Sequence, residues 1–142
     1  MSVALATAAK IGAMTAHAAL SASVNGDEVD TKGYYQVFAF AKLGTTTGSS
    51  ATAYMKIMHS DTSGSGFVDV TGSDTATQSL DSGAGTGKTF AIQYSSPTKR
   101  YVKYRIVLSG TTPVAGDTAA ALLLGSGTYS TSGASADKAI TV

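Results

Sequence analysis

Hydrophobic residues in this chain occur in short clusters, and segments rich in glycine, serine and threonine separate the clusters. Within the clusters at 51–59, 88–94 and 100–108, apolar and polar side chains alternate at every second position. This period places neighbouring side chains on opposite faces of a β-strand. In the last cluster, the residues predicted to face the core are Val102, Tyr104, Ile106 and Leu108. The residues predicted to face outward are Lys99, Tyr101, Lys103 and Arg105.

The clusters predict eight strands, at residues 18–24, 34–43, 51–59, 67–70, 88–94, 100–108, 118–124 and 139–142. Turn-forming residues lie between them, and no intervening segment has a helical period, which excludes parallel folds of alternating strands and helices. The sequence therefore predicts an all-β protein, an antiparallel β-sandwich or jelly roll of about eight strands. We expect residues 1–15 to form a short N-terminal arm and residues 16–142 to form a single jelly-roll domain.

Five polar segments connect the predicted strands, at residues 44–50, 60–66, 72–87, 109–117 and 125–138. The first of them has the size of a hairpin loop between the strands on either side of it. Loops that are long relative to their strands are mobile in an isolated domain unless a partner orders them. We therefore expect a partner to contact some of these loops.

The composition narrows the class of partner. Only 13% of the 142 residues are charged, and the formal net charge is +1. Binding of DNA or RNA needs a dense basic surface, so a nucleic-acid partner is not expected. The chain has no cysteine, which excludes disulfides and thiolate metal sites. No apolar run approaches the roughly 18 residues of a membrane-spanning helix, so no membrane partner is expected either.

A glycine-rich segment at Gly83–Thr89, with the sequence GAGTGKT, resembles a phosphate-binding loop. That loop requires a glycine five positions before the Gly-Lys pair, and this chain has Ser82 there. The lysine should also open a helix whose N-terminal amides hold the phosphate, whereas Lys88 opens a predicted strand. The segment is better interpreted as a glycine-rich hairpin loop.

Catalytic and metal-binding side chains are few. His59 and Asp61 lie two positions apart at a strand end, but zinc sites usually take three or four ligands. His17, the other histidine, is distant in sequence. Serine is abundant, yet the chain has no G-x-S-x-G motif, and a general base would have to be one of two histidines. We expect no enzymatic activity, no metal, no cofactor and no small-molecule substrate.

Four of the ten basic residues fall within seven positions, at Lys99, Arg100, Lys103 and Arg105. Three of them share the outer strand face with Tyr101. This cluster is either a solvated outer face or a surface that docks onto an acidic protein. A basic strand within a chain of almost neutral net charge does not favour nucleic acid.

The order of these features resembles the small jelly-roll decoration, or cement, proteins of tailed bacteriophage capsids. The resemblance covers roughly residues 16–125, and the segments that carry it are AHAALSASV, YYQVFAFAKL, GFVDVTG, KRYVKYRIVLSGTTP and AALLLG. It implies a non-enzymatic protein that is made in the bacterial host cytoplasm. On the virion, such a protein binds the outer surface of the major capsid protein shell and forms dimers or trimers.

The resemblance also implies that exposed residues contact the capsid. The candidates on the arm, the loops and the basic strand are Lys10, Thr46, Thr47, Ser63, Ser65, Asp81, Lys99, Tyr101, Lys103 and Arg105. Two alternatives remain open at this point. One is a receptor- or carbohydrate-binding β-sandwich of a virion fibre, although the absence of tryptophan weakens it. The other is a self-assembling shell or tail protein.

Lys88 is predicted to bind no nucleotide, because neither the first glycine nor the helix of a phosphate-binding loop is present. Calorimetric titration of the protein with ATP and magnesium should show no heat above dilution. Saturable micromolar binding that is lost in Lys88→Ala would contradict this prediction.

Overall fold

The computed structural model describes residues 9–125 and 138–141. Within them the chain forms eleven β-strands and one short 3-10 helix, Asp81–Gly83. The strands are β1 (Ala9–His17), β2 (Val24–Asn25), β3 (Val29–Asp30), β4 (Gln36–Lys42), β5 (Thr46–Ser60), β6 (Val68–Asp69), β7 (Gln78–Ser79), β8 (Thr89–Ser95), β9 (Tyr101–Ala115), β10 (Thr118–Gly125) and β11 (Lys138–Thr141).

The strands form two sheets. Sheet A has the order β1-β10-β4-β8-β11, and sheet B has the order β2-β9-β5-β6, with β3 also paired to β9 and β7 to β5. Strands β2 and β3 act as one interrupted strand, as do β6 and β7, because each couple pairs with the same neighbour. Counted this way, the first strand pairs with the eighth, the second with the seventh, the third with the sixth and the fourth with the fifth. This nested antiparallel pairing confirms the predicted jelly roll. β11 lies outside the nested order and pairs parallel with β8, which the antiparallel prediction did not include.

The core lies between the inner faces of the two sheets. The predicted orientation of β9 is confirmed, since Val102, Tyr104 and Ile106 are fully buried and Leu108 is nearly so. The side chains that alternate with them are half-buried on the outer face. β8 differs from β9, because Ala91 on its outer face is also buried.

The first strand lies earlier in the chain than the sequence predicted. β1 covers residues 9–17, so a first strand at 18–24 is wrong, and so is an arm that includes residues 9–15. Residues 1–8 lie outside the described part of the structure. β1 pairs with β10 and shifts register at Gly12, where a Cβ would lie 2.7 Å from Val29 Cγ1. The glycine that this close approach requires interrupts the apolar pattern, and the period alone therefore missed the strand.

Two predicted loops are largely strand. Residues 46–50 of the predicted loop at 44–50 belong to β5, and residues 109–115 of the loop at 109–117 belong to β9. The two segments pair with each other through two register shifts, next to positive φ angles at Ser50 and Gly110. At Gly110 a Cβ would lie 2.2 Å from the carbonyl oxygen of Ser50, so the bulge needs glycine.

The connections also run differently from the predicted hairpins. β4 lies in sheet A and β5 in sheet B, so residues 43–45 join the two sheets rather than two neighbours of one sheet. The predicted loop at 72–87 contains β7 and the 3-10 helix, and it too passes from sheet B to sheet A. The glycine-rich segment at Gly83–Thr89 is therefore a crossover and not a hairpin loop. Of the predicted loop at 125–138, residues 126–137 lie outside the described residues.

Ile106→Ala should reduce the free energy of unfolding by about 2–5 kcal/mol, because it removes buried methyl groups and leaves a cavity between the sheets. Lys103→Ala, on the opposite face of the same strand, should cost well under about 1 kcal/mol. Urea unfolding of both variants measures the difference. Reversed costs would mean that the register of β9 is shifted by one residue.

Candidate interaction surfaces

One end of sheet B carries most of the interacting charged side chains of the described chain. We call it the charged end, formed by residues 28–30, 61–67 and 99–103, where β9 begins and β3 and β5 end. The guanidinium of Arg100 donates two hydrogen bonds through Nε, of 3.0 and 3.1 Å, and one of 2.7 Å through Nη2 to the Asp30 carboxylate. Lys99 Nζ lies 3.3 Å from Asp61 Oδ2. These contacts connect three separate segments of the chain.

The loop at 61–67 is held at several points. Glu28 accepts a hydrogen bond from the Ser63 hydroxyl and another, of 2.8 Å, from the Gly64 amide. The Ser60 hydroxyl donates to the carbonyl oxygen of Ser65 at 2.6 Å. At the end of the loop, Lys103 Nζ lies 3.9 Å from the centroid of the Phe67 ring, a cation–π contact. The loop is thus fixed to the sheet before any partner binds.

The electrostatics of the charged end follow from these contacts. The hydrogen bonds from Arg100 hold the pKa of Asp30 at about 2, and the same contact raises the pKa of Arg100. The bond from Ser63, followed by that from Gly64, lowers the pKa of Glu28. Both carboxylates are therefore ionised throughout the neutral range.

The predicted basic cluster is largely neutralised within the molecule. Asp61 and Asp30 pair with Lys99 and Arg100, and Lys56 on the neighbouring strand pairs with Asp69. Lys103 covers an aromatic ring, and Arg100 lies 5.3 Å from the centroid of Tyr101. Arg105 differs, because its Nε is buried and has no hydrogen-bond partner among the described residues. Most basic side chains of this face are therefore paired with acidic ones. Docking onto an acidic protein would instead use an uncompensated positive surface.

The other predicted contact residues are dispersed. Thr46 and Thr47 lie at the far end of β5, and Thr46 is fully buried. The Thr46 hydroxyl accepts a hydrogen bond from Gly85 N, and its amide donates to Thr86 Oγ1, so Thr46 is removed from the contact candidates. Asp81 accepts a hydrogen bond from Ala51 N at 2.8 Å and is half-buried. The side chain of Lys10 lies outside the described part.

A second surface, on the outer face of sheet A, was not found from the sequence. Strand register aligns Met14, Ala121 and Phe40 across β1, β10 and β4, with Ala119 one row further along. The small alanines between larger neighbours leave an apolar hollow of about 310 Å³, with Lys42 in its lining. Met14 is 70% exposed. The sequence shows Ala119 and Ala121 at alternate positions of β10. These alanines form the base of the hollow only because β1 and β4 pair with β10 on either side.

The two histidines link the sheets. His17 Nε2, from sheet A, lies 2.8 Å from the Tyr104 hydroxyl of sheet B. His59 Nδ1, from sheet B, lies 3.1 Å from the Tyr94 hydroxyl of sheet A. The Thr98 amide donates to the oxygen of Tyr94 at 3.1 Å, and Thr98 Oγ1 lies 3.3 Å from the same hydroxyl. His59 is therefore engaged by tyrosine while Asp61 is engaged by lysine, and the structure does not join them into a metal pair.

Among the described residues, no group of three or more histidine or carboxylate side chains is arranged to hold a metal ion. Lys88 directly precedes β8, which confirms the strand that was predicted there. No helix in the described ranges is long and apolar enough to cross a membrane.

A scan against protein-family models finds no match, and a search of curated proteins finds none either. Among solved structures, the chain is similar to the SPBc2 prophage-derived protein YomS, at 14% identity and a TM-score of 0.43 over 82% of this chain and 93% of that chain. It is also similar to FLHE, at 10% identity and a TM-score of 0.30 over 82% of this chain and 90% of that one. Both TM-scores lie below 0.5, and the fold assignment rests on the strand order of this chain alone.

Stability is predicted to fall as the pH drops below about 6.5. Burial lowers the pKa of both His17 and His59, with nearby charges as smaller influences. The unfolded chain then takes up protons at a higher pH than the folded chain, and acid favours unfolding. Urea midpoints should therefore be lower at pH 5.5 than at pH 7.5.

The double variant His17→Gln, His59→Gln is the control for this effect, because glutamine retains hydrogen-bonding atoms without titrating. Its midpoints at the two pH values should differ less than those of the wild type. Asp30 and Glu28 titrate below this window and do not contribute to it. Equal wild-type midpoints at both pH values would contradict the assignment.

Proposed function

We propose that this protein decorates the outer surface of a bacteriophage capsid, binds the major capsid protein and stabilises the head as a homo-oligomer. The proposal draws on the resemblance of the chain's segment order to capsid decoration proteins and on the jelly-roll strand order. In this proposal the protein is a non-enzymatic structural component on the virion exterior. It uses no cofactor, small-molecule substrate, nucleic acid or membrane.

The observation that carries the proposal is the preorganised loop at 61–67. A loop that is ordered on binding loses conformational entropy, which reduces affinity. Here Glu28, Ser60 and Lys103 hold the loop before binding. Ser63 and Ser65 are exposed on it, and Val68, which follows it, is 51% exposed. The charged end therefore presents a rigid surface of small polar groups beside an apolar residue, which suits contact with another folded protein.

The stabilising effect follows from linkage. A ligand that binds only the intact shell adds its binding free energy to the stability of that shell. An oligomer that engages several capsid subunits also gains from effective concentration, so each contact can be weak. Modest surfaces on many copies are sufficient for this role.

The geometry is less suited to the alternative of a carbohydrate-binding fibre domain. Sugar rings stack on open aromatic faces, and at the charged end the outer face of sheet B offers Tyr101 and Phe67. Arg100 and Lys103 already lie over these two rings. A glycan at the charged end would have to displace both cations before it could stack on these two rings.

Shells that lack the protein should lose heat resistance, and adding the purified protein back should restore it. Glu28→Gln should weaken this rescue, because it reduces the attraction that holds Ser63 and Gly64. Asp74→Asn removes an exposed carboxylate from a different loop and is the matched control, with rescue expected at the wild-type level. The measurement is the melting temperature of the particles against the concentration of added protein.

Bare shells as heat-resistant as decorated ones, with no binding of added protein, would overturn the proposal. Equal rescue by Glu28→Gln and the wild type would remove the charged end as the contact surface. Deleting residues 1–15 would not test whether the predicted N-terminal arm contacts the capsid, because the deletion removes most of β1 from sheet A.

A further inference from the structure

The sheet edges of this molecule are protected unequally. An exposed edge strand offers unpaired N–H and C=O groups to other chains, and short edge strands are one common protection. Three of the four edges in the described chain consist of short pieces. β2, β3, β6 and β7 have two residues each, and β11 has four. β1 has nine residues, and no described strand pairs with its outer edge.

β1 also lacks most of the side chains that protect an edge. Its sequence, AKIGAMTAH, contains no proline and no acidic residue, and Lys10 lies near one end. The register shift at Gly12 affects the pairing near that end, while Ala13 to His17 pair with β10 without interruption. Met14 and Ala16 are exposed on the outer face of this regular half. It is therefore a regular edge whose exposed side chains are apolar, and it can accept another strand.

We propose that β1 pairs antiparallel with β1 of a second copy of this chain, joining two A sheets into one continuous sheet across a two-fold axis. This inference deepens the proposed function, in which the protein acts as a homo-oligomer. It names the surface through which two copies associate, and it can be tested without a capsid.

The composition of β1 favours a second copy over a foreign strand. Recognition of a foreign peptide by strand addition takes its specificity from side-chain pockets, and the small residues of β1 provide few. Antiparallel self-pairing places the two Lys10 positions at opposite ends of the joint, so the like charges are separated. His17 bonds to Tyr104 within its own subunit and adds no second exposed cation at the joint.

Side-chain size also fits self-pairing. Across an antiparallel pair, opposing side chains lie on the same face, and a large residue packs well beside a small one. A two-fold axis near Thr15 sets Met14 of one copy against Ala16 of the other, and the reverse. This continues the row of Met14, Ala121 and Phe40, in which large and small residues already alternate.

The first test measures mass in solution. Sedimentation of the purified wild type should give twice the 14.2 kDa of one chain. Met14→Lys combined with Ala16→Lys should give a monomer, because paired strands would bring four cations together on one face. Tyr35→Lys alters a residue that is 67% exposed outside β1 and should remain a dimer. Circular dichroism must show the same β-content for all three proteins.

The second test uses the absence of cysteine from the chain. The variant Met14→Cys, Ala16→Cys should form a disulfide-linked dimer on mild oxidation, whether the axis lies at Met14, Thr15 or Ala16. Tyr35→Cys should remain largely unlinked under the same conditions. This variant keeps the edge uncharged, so it reports on pairing even if the lysine variant fails to fold.

A wild type that is monomeric or trimeric, or cysteine variants that link equally, would overturn self-pairing of β1. Shell binding by a monomeric wild type would refute pairing through β1 and the homo-oligomer of the proposed function, and it would leave capsid decoration itself standing. A dimer that links through β1 but does not bind shells would support pairing through β1 and overturn the proposed function.

Discussion

The long antiparallel pairing of β5 with β9 is the constraint on which the rest of the structure depends. It runs from Thr46 opposite Ala115 to Ser60 opposite Tyr101. Because side chains alternate along both strands, this register buries Ile57 and Tyr104 together and leaves Lys56 and Lys103 outside. It also brings the end of β5 to the start of β9, so the loop at 61–67 leaves the sheet beside Lys99 and Arg100. A slip of one residue would exchange the core and the charged face.

Small residues allow the strands and their connections to approach each other closely. Gly26 pairs its backbone with Tyr104, and a Cβ there would lie 2.1 Å from the tyrosine ring. A Cβ at Gly44 would lie 1.6 Å from the carbonyl oxygen of Gly116, where the ends of β4 and β9 meet. The abundance of glycine and alanine therefore has two structural uses. Glycine allows backbones to touch, and alanine forms the floor of the hollow on sheet A.

The sequence was informative wherever burial on one face imposes a period of two. It located β5, β8 and β9 and the inner face of β9 for that reason. It could not find β2, β3 or β7, because two-residue strands exist only through the neighbour that they pair with. The polar ends of β5 and β9 were missed for a related reason, since backbone pairing holds them without an apolar stripe.

In the candidate surfaces, too, features that follow from local alternation could be predicted, and features that depend on distant segments could not. Alternation placed Lys103 and Arg105 outside, but the neutralising partners Asp30 and Asp61 come from distant segments that only the fold brings near. The hollow beside Met14 depends on the register of three strands, which no local pattern encodes.

Pairing with Asp30 and Asp61 changes the physical role of the basic side chains at the charged end. Exposed ion pairs contribute little to global stability, since water screens them and ordering the side chains costs entropy. Their effect at the charged end is local, because Glu28 and Lys103 restrict a loop of glycine and serine residues. Such residues have little side-chain entropy left to lose on binding, and the anchors remove much of the backbone freedom in advance. A chain with few charges can in this way present a preorganised polar surface on a jelly roll.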